Sequence, residues 1–148
     1  MALYYLLRYT NKVDSIMIAD MEQRKIPLIF QSFIIILLLR KTISLEHYPE
    51  LHFFFLAALF STLFALGLLY TKTKASLHML AISALTVFVF GLNIHLQTGN
   101  IYVVPFLLLM NGFVASSRLV MQAHTPNELF IGLLLGSIPQ LLFLFLWL

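Results

Sequence analysis

The chain has 148 residues, of which 61% are hydrophobic and 10% are charged, and its mean hydropathy is +0.95. Charged residues make up about a quarter of soluble globular domains, so this composition excludes an ordinary soluble protein and predicts a polytopic membrane protein. The absence of cysteine excludes disulfides, metal thiolates and thiol nucleophiles. The net charge of +3 suits contact with anionic lipid or phosphate, and no dense basic patch indicates binding to nucleic acid.

The chain begins with a segment, residues 1–26, in which a brief apolar start gives way to mixed polarity. This pattern indicates an interfacial helix or part of a span, and it lacks the cleavage site of a signal peptide. Apolar runs of roughly 20 residues follow. They predict five spans, at Pro27–Leu45, Leu51–Tyr70, Ser76–Leu96, Ile101–Leu119 and Asn127–Leu148. Because the links are short, we expect an all-α, up-and-down transmembrane bundle forming one domain over residues 27–148.

Antiparallel helices would sort the polar residues onto two ends of the bundle. The first end is expected to hold Arg8, Lys12, Arg24, Lys25, Lys72, Lys74, His78, Arg118, His124 and Glu128. The second end is expected to hold Arg40, Lys41, Glu46, His47, Glu50, His52 and His95. This convergence favours a site at the first end. The positive-inside rule would place that end in the cytoplasm, but cations that bind phosphate are not topology signals, so the orientation stays open.

The segment SRLVMQAHTPNE, residues 117–128, holds three ionisable side chains between two apolar runs. His124 and Glu128 are four residues apart, so they share one face of the helix that begins near Pro126. A guanidinium such as that of Arg118 binds two phosphate oxygens at once. A neutral imidazole whose second nitrogen donates to a carboxylate is a competent nucleophile. This segment therefore predicts phosphoryl chemistry.

The spacing of Arg118, His124 and Glu128 resembles the third signature of the type 2 phosphatidic acid phosphatase superfamily, integral-membrane lipid phosphatases related to haloperoxidases. The resemblance implies a phosphatidic acid phosphatase-like bundle in which the arginine binds phosphate. It also implies that the histidine forms a phosphohistidine and that the acid orients the histidine. Glu128 stands where the family has an aspartate.

The segment KASLH, residues 74–78, resembles a worn form of the family's second signature, Pro-Ser-Gly-His. The resemblance implies that His78 protonates the leaving oxygen and that Ser76 and Lys74 contact phosphate. The position of His78 at a helix start also suits a site where backbone amides meet phosphate.

The family's first signature, a lysine six residues before Arg-Pro, has no match in the sequence. The nearest basic cluster is formed by Arg24 and Lys25, which we assign to phosphate binding as weaker helpers. The family core usually has six spans, whereas this sequence predicts five. The resemblance therefore implies a divergent, small bacterial-type member. We expect either a fragment or a protein shortened at its N-terminus, located in the bacterial inner membrane.

These patterns together predict a metal-independent phosphomonoesterase, without a cofactor, that acts on a phosphorylated lipid. Two alternatives stay open: a lipid-phosphate-binding or structural protein of the same fold without catalysis, and an electron-transfer protein with haem held by His78 and His124. A metal site formed by His47, His52 and His95 is disfavoured because the nearest acids lie in a short loop.

Two glycines of the last predicted span, Gly132 and Gly136, lie at four-residue steps after Glu128. Their spacing predicts a groove that allows close approach of another helix, within the chain or in a homo-oligomer.

Overall fold

The computed structural model describes residues 21–71 and 73–148. The predictions made for residues 1–20, which include Arg8 and Lys12, and for Lys72 lie outside this part of the chain. The described residues form helices and connecting turns and contain no strand, which confirms the all-α prediction. The helices are α1 (Met21–Lys41), α2 (Pro49–Tyr70), α3 (Leu77–His95), α4 (Val103–Val120) and α5 (Pro126–Trp147).

Of the helices in the described residues, four are long and apolar enough to cross a membrane. They are α2 to α5, with mean hydropathies between 1.6 and 2.3 over their most apolar windows. Their boundaries fall within two residues of four of the predicted spans. The structure therefore supports an integral membrane protein with a helical bundle.

Helix α1 differs from the predicted span. Residues 21–26, which precede that span, are helical as well. The helix ends at Lys41 and not at Leu45. The uncharged stretch between Lys25 and Arg40 is shorter than the roughly 20 residues that a membrane span needs, so α1 does not qualify as a span on length and composition.

The local sequence explains where the later helices begin. A proline occupies the first position of both α2 and α5. A backbone N–H at this position has no acceptor within the helix, so the absence of an N–H in proline costs no hydrogen bond. Ser76 caps α3, because its side chain accepts a hydrogen bond from the N–H of Met79. Thr125 caps α5 in the same way through the N–H of Glu128. Both caps lie at the same end of the bundle.

Helices α3 and α5 pack closely because glycines line their contact. A Cβ atom on Gly136 would collide with the side chain of Ser83 and the backbone of Leu80, both on α3. Near the other end, a Cβ atom on Gly91 of α3 would collide with Leu144 of α5. The predicted glycine groove is thus confirmed, and α3 of the same chain occupies it.

The remaining helices surround this pair. Helix α2 packs on α5 and α1, and α4 packs on α3. Side-chain amides cross two of these contacts: Gln140 Nε2 donates to the carbonyl of Phe54 at 3.0 Å, and Asn111 Nδ2 donates to Thr86 Oγ1 at 2.7 Å. Such bonds stabilise helix association in a medium without water.

The structure sorts the polar side chains onto two ends, as the antiparallel order predicts. The start of α1, the α2–α3 link and the α4–α5 link meet at one end of the bundle. At the opposite end, His95 Nε2 lies 3.4 Å from Glu50 Oε1, and His52 Nδ1 lies 2.8 Å from the carbonyl of Ile43. His47 Nδ1 lies 2.9 Å from Ser44 Oγ. The histidines of the opposite end thus contact different local partners.

The close contact of α3 and α5 can be tested with Gly136→Val. The added side chain would collide with Leu80 and Ser83, and overpacking of this kind costs about 1–3 kcal/mol of unfolding free energy. Gly67→Val on α2 is the matched control, because a Cβ atom at Gly67 meets nothing within 4 Å. Thermal unfolding in detergent is monitored by circular dichroism. We expect Gly136→Val to unfold at a lower temperature than the wild type, and Gly67→Val to unfold as the wild type does. Equal melting of the two variants would contradict the packing.

Candidate functional site

The centre of the site is a hydrogen-bonded pair formed by the buried side chain of His124 and the half-buried side chain of Glu128. Nδ1 of His124 lies 2.8 Å from Oε2 of Glu128, and the side chains are 5% and 22% exposed. A carboxylate oxygen can only accept, so Nδ1 carries the hydrogen atom and donates it. In the neutral ring, Nε2 then keeps its lone pair. The pair therefore presents one nucleophilic nitrogen of defined orientation.

The first turn of α5 holds Glu128 in place through a capping box. Thr125 Oγ1 accepts from the N–H of Glu128 at 3.3 Å, and Glu128 Oε2 accepts from the N–H of Thr125 at 3.4 Å. Capping boxes use glutamate or glutamine at this position because these side chains are long enough to reach back. The same oxygen thus serves the helix start and the imidazole. This double contact gives a physical reason for a glutamate where the resembled family has an aspartate.

Thr125 is a site residue that the sequence analysis did not identify. It holds the acid that orients His124, although it has no ionisable group itself. The pattern Thr-x-x-Glu ahead of an apolar run is a known helix-start signature and was sufficient to find it.

The surroundings of His124 favour its neutral form. Burial lowers the pKa of His124 below its usual value of 6.5, and the charges of Arg24 and Arg118 lower it further. The hydrogen bond to Glu128 and the charge of that carboxylate act in the opposite direction but do not offset burial. At neutral pH the ring is therefore uncharged, which is the state a nucleophilic nitrogen requires.

Arg118 and His78 lie beside this pair, although they belong to different helices. Arg118 is in the last turn of α4, and its Nε is buried without a hydrogen-bond partner among the described residues. His78 is the second residue of α3, and its side chain is exposed. His78 lies within electrostatic range of Arg118, His124 and Arg24. The residues assigned to nucleophilic attack, proton transfer and phosphate binding are thus gathered at one end of the bundle.

Arg24 connects α1 to this cluster. Its Nη1 donates to the carbonyl of Ala75 at 3.1 Å, which joins the start of α1 to the α2–α3 link. Burial lowers the pKa of Arg24 from its usual value, and the charge of Glu128 raises it. A guanidinium remains protonated even with such a shift. Arg24 therefore adds a second guanidinium to the site, and both guanidinium groups lie within electrostatic range of His78 and His124.

Ser76 has a different role from the phosphate contact that the resemblance implies. Its side chain is completely buried, and its Oγ accepts from the N–H of Met79 at 3.4 Å as the cap of α3. Its own N–H donates to the carbonyl of Glu128 at 3.1 Å. Ser76 therefore joins the starts of α3 and α5, and its buried hydroxyl is used as the cap of α3.

The two lysines assigned to phosphate binding lie at the same end of the bundle. Nζ of Lys25 lies 5.0 Å from the centre of the Tyr70 ring, which is a cation–π contact with the end of α2. Lys74 is half-buried in the α2–α3 link, two residues before Ser76. Glu128, Arg118, Arg24 and His78 lie within electrostatic range of His124, and we call these five residues the cluster.

Comparisons of the chain with protein-family models, curated proteins and solved structures found no match. The assignment of a function therefore depends on the chemistry of the cluster itself.

The state of His124 can be measured by ¹⁵N NMR of the histidine rings in detergent. We expect the Nδ1–H form at pH 7 and a titration midpoint below 6.5, because burial opposes protonation. Glu128→Gln should lower the midpoint further, because it removes a charge that raises the pKa, while glutamine can still complete the capping box. Glu50→Gln at the opposite end is the control and should leave the His124 signals unchanged. A wild-type midpoint above 6.5 would contradict the burial of this ring.

Proposed function

We propose that the chain is a membrane-embedded phosphatase that removes the phosphate group from a phosphorylated lipid. The proposal includes a phosphatidic acid phosphatase-like fold and a location in a bacterial inner membrane. It rests above all on one observation: a buried imidazole whose Nδ1 donates to Glu128, so that Nε2 of His124 is available next to the guanidinium groups of Arg24 and Arg118.

In the first step, Nε2 of His124 attacks the phosphorus atom and the bond between phosphorus and the lipid oxygen breaks. The ring becomes positively charged, and Glu128 stabilises this charge through the existing hydrogen bond. The lipid oxygen takes a proton from protonated His78, which yields the lipid alcohol and a neutral His78. The phosphoryl group is now bound to His124.

In the second step, water attacks the phosphohistidine and gives its proton to His78. The bond between phosphorus and Nε2 breaks, inorganic phosphate leaves, and both histidines return to their initial protonation states. The same residue acts first as acid and then as base, as reversibility of the two half-reactions requires.

The guanidinium groups would supply the charge that the transferring phosphoryl group needs. The buried Nε–H of Arg118 has no protein acceptor among the described residues, so a phosphate oxygen would satisfy it. Arg24 carries a second positive charge into the same cluster. Donors fixed in advance around developing negative charge are usually the largest contribution to catalysis of this kind.

One observation favours a second function, binding of a phosphorylated lipid without turnover. The side chain of Ser76, which the resembled family would place at the phosphate, is buried and used as a helix cap. A site with fewer phosphate donors could still bind the headgroup through Arg118 and Arg24. The two experiments that follow distinguish an enzyme from a binding protein.

Catalysis is tested with His124→Asn. Purified protein in detergent should release inorganic phosphate from dioleoyl phosphatidic acid, and the variant should be slower by roughly 10³-fold or more because the nucleophile is absent. When the reaction of the wild-type protein is stopped with alkali, the protein should carry acid-labile phosphate on His124. His47→Asn, at an exposed histidine of the opposite end, is the matched control and should retain full activity. Unchanged activity of His124→Asn would exclude the nucleophile, and inhibition by a chelator that added metal reverses would indicate a metal-dependent hydrolase.

Headgroup binding is tested with Arg118→Ala, using nanodiscs that contain either dioleoyl phosphatidic acid or dioleoylglycerol. Loss of a charge-assisted hydrogen bond should weaken binding of the phosphorylated lipid by about tenfold or more. Arg40→Ala, which changes an exposed arginine at the opposite end, should bind as the wild type does. Binding that is normal in His124→Asn but weak in Arg118→Ala is expected for both functions, whereas phosphate release occurs only for an enzyme. Normal binding by Arg118→Ala would exclude this guanidinium as the phosphate contact.

A further inference from the structure

A groove of about 530 Å³ lies between α1, α2 and α3. Its walls are apolar among the described residues except at Gln31. The groove exists because α1 packs against α2 and makes little contact with α3. Small side chains on α3, Ala81 and Ala84, widen the gap that α1 leaves.

One end of the groove lies close to the polar cluster. Its wall on α1 starts at Pro27, three residues after Arg24, and its wall on α3 starts at Leu80, two residues after His78. From Pro27 to Leu38 the wall on α1 extends for about 16 Å towards the opposite end of the bundle. The groove therefore extends from the end that holds the cationic cluster, along apolar side chains, towards the opposite end of the bundle.

The charge at the mouth of the groove indicates what occupies it. Arg24 and Arg118 both lie within electrostatic range of His78 and His124, so two guanidinium groups meet at this mouth, and the mouth suits an anionic group. The walls below suit a hydrocarbon chain. A phosphorylated lipid has an anionic headgroup joined to hydrocarbon chains, which matches the cationic mouth and the apolar walls that follow it.

We propose that the groove holds an acyl chain of the phosphorylated lipid whose headgroup binds at the cluster. This inference rests on the proposed function for the identity of the headgroup. A hydrocarbon chain gains little free energy when it moves from lipid into an apolar groove, because both surroundings are apolar. The headgroup thus supplies the affinity, and the groove fixes the depth and direction of the bond to phosphorus.

The inference is tested with a diazirine placed in one acyl chain of a phosphatidic acid, and with the same chain on a diacylglycerol. Each lipid is incorporated into nanodiscs with the full-length protein, photolysed, and the labelled residues are identified by mass spectrometry. We expect the phosphatidic acid to label the groove residues of α1 and α3 about tenfold more than the diacylglycerol, because one charge-assisted hydrogen bond changes occupancy by that factor.

Ala81→Trp places a large side chain in the groove and should abolish the labelling that depends on the headgroup. Gly112→Trp on α4 is the matched control, because Gly112 is exposed and a Cβ atom there meets nothing within 4 Å. It should label as the wild type does. Equal labelling of the groove by the two lipids would show ordinary contact with bulk lipid and would overturn the inference. Groove residues protected from both lipids would show that another segment, such as residues 1–20 or a second copy, covers them, and would also overturn it.

The labelling does not need turnover, so it separates the two proposals. Headgroup-dependent labelling without phosphate release would support the acyl-chain groove in a binding protein. Phosphate release together with equal labelling by both lipids would be consistent with the proposed phosphatase and would refute the binding of an acyl chain in the groove. The comparison of the two lipids uses wild-type protein, so the inference remains testable even if Ala81→Trp fails to fold.

Discussion

The hydrogen bond from the N–H of Ser76 to the carbonyl of Glu128 determines how the site is built. It joins the start of α3, which carries His78, to the start of α5, which follows His124. This bond can form only because Gly132 and Gly136 let the backbones of the two helices approach closely. Without that approach, the two histidines would belong to separate helix ends with no fixed distance between them.

The helices could be predicted well because a bilayer of fixed thickness requires long apolar runs. The run Ser76–Leu96 corresponds to α3, Leu77–His95, within one residue at each end. The predicted span Pro27–Leu45 is not supported, because α1 ends at Lys41 and does not qualify as a span on length and composition. The segment MEQRK ahead of its apolar part is helical too, and hydropathy alone does not detect this because it does not measure helix propensity.

The site could be predicted only in part, because sequence spacing reports local contacts. The four-residue step from His124 to Glu128 indicates one helix face, and the structure places these side chains in a hydrogen bond. Nothing local reveals that Arg24 donates to Ala75, fifty-one positions away. The buried position of Ser76 also depends on α5, which begins much later in the chain. Such contacts are decided by packing between helices, so a sequence motif alone does not reveal them.

The double use of Glu128 Oε2 ties the reactivity of His124 to the integrity of one helical turn. If the first turn of α5 frays, the carboxylate loses the amide of Thr125 and moves away from the imidazole at the same time. The ring is then free to adopt its other tautomer, in which Nε2 bears the hydrogen atom and cannot attack. Under the proposed mechanism, a partly unwound molecule would therefore be inactive, and only molecules with a fully formed helix start would carry His124 in the tautomer that attacks phosphorus.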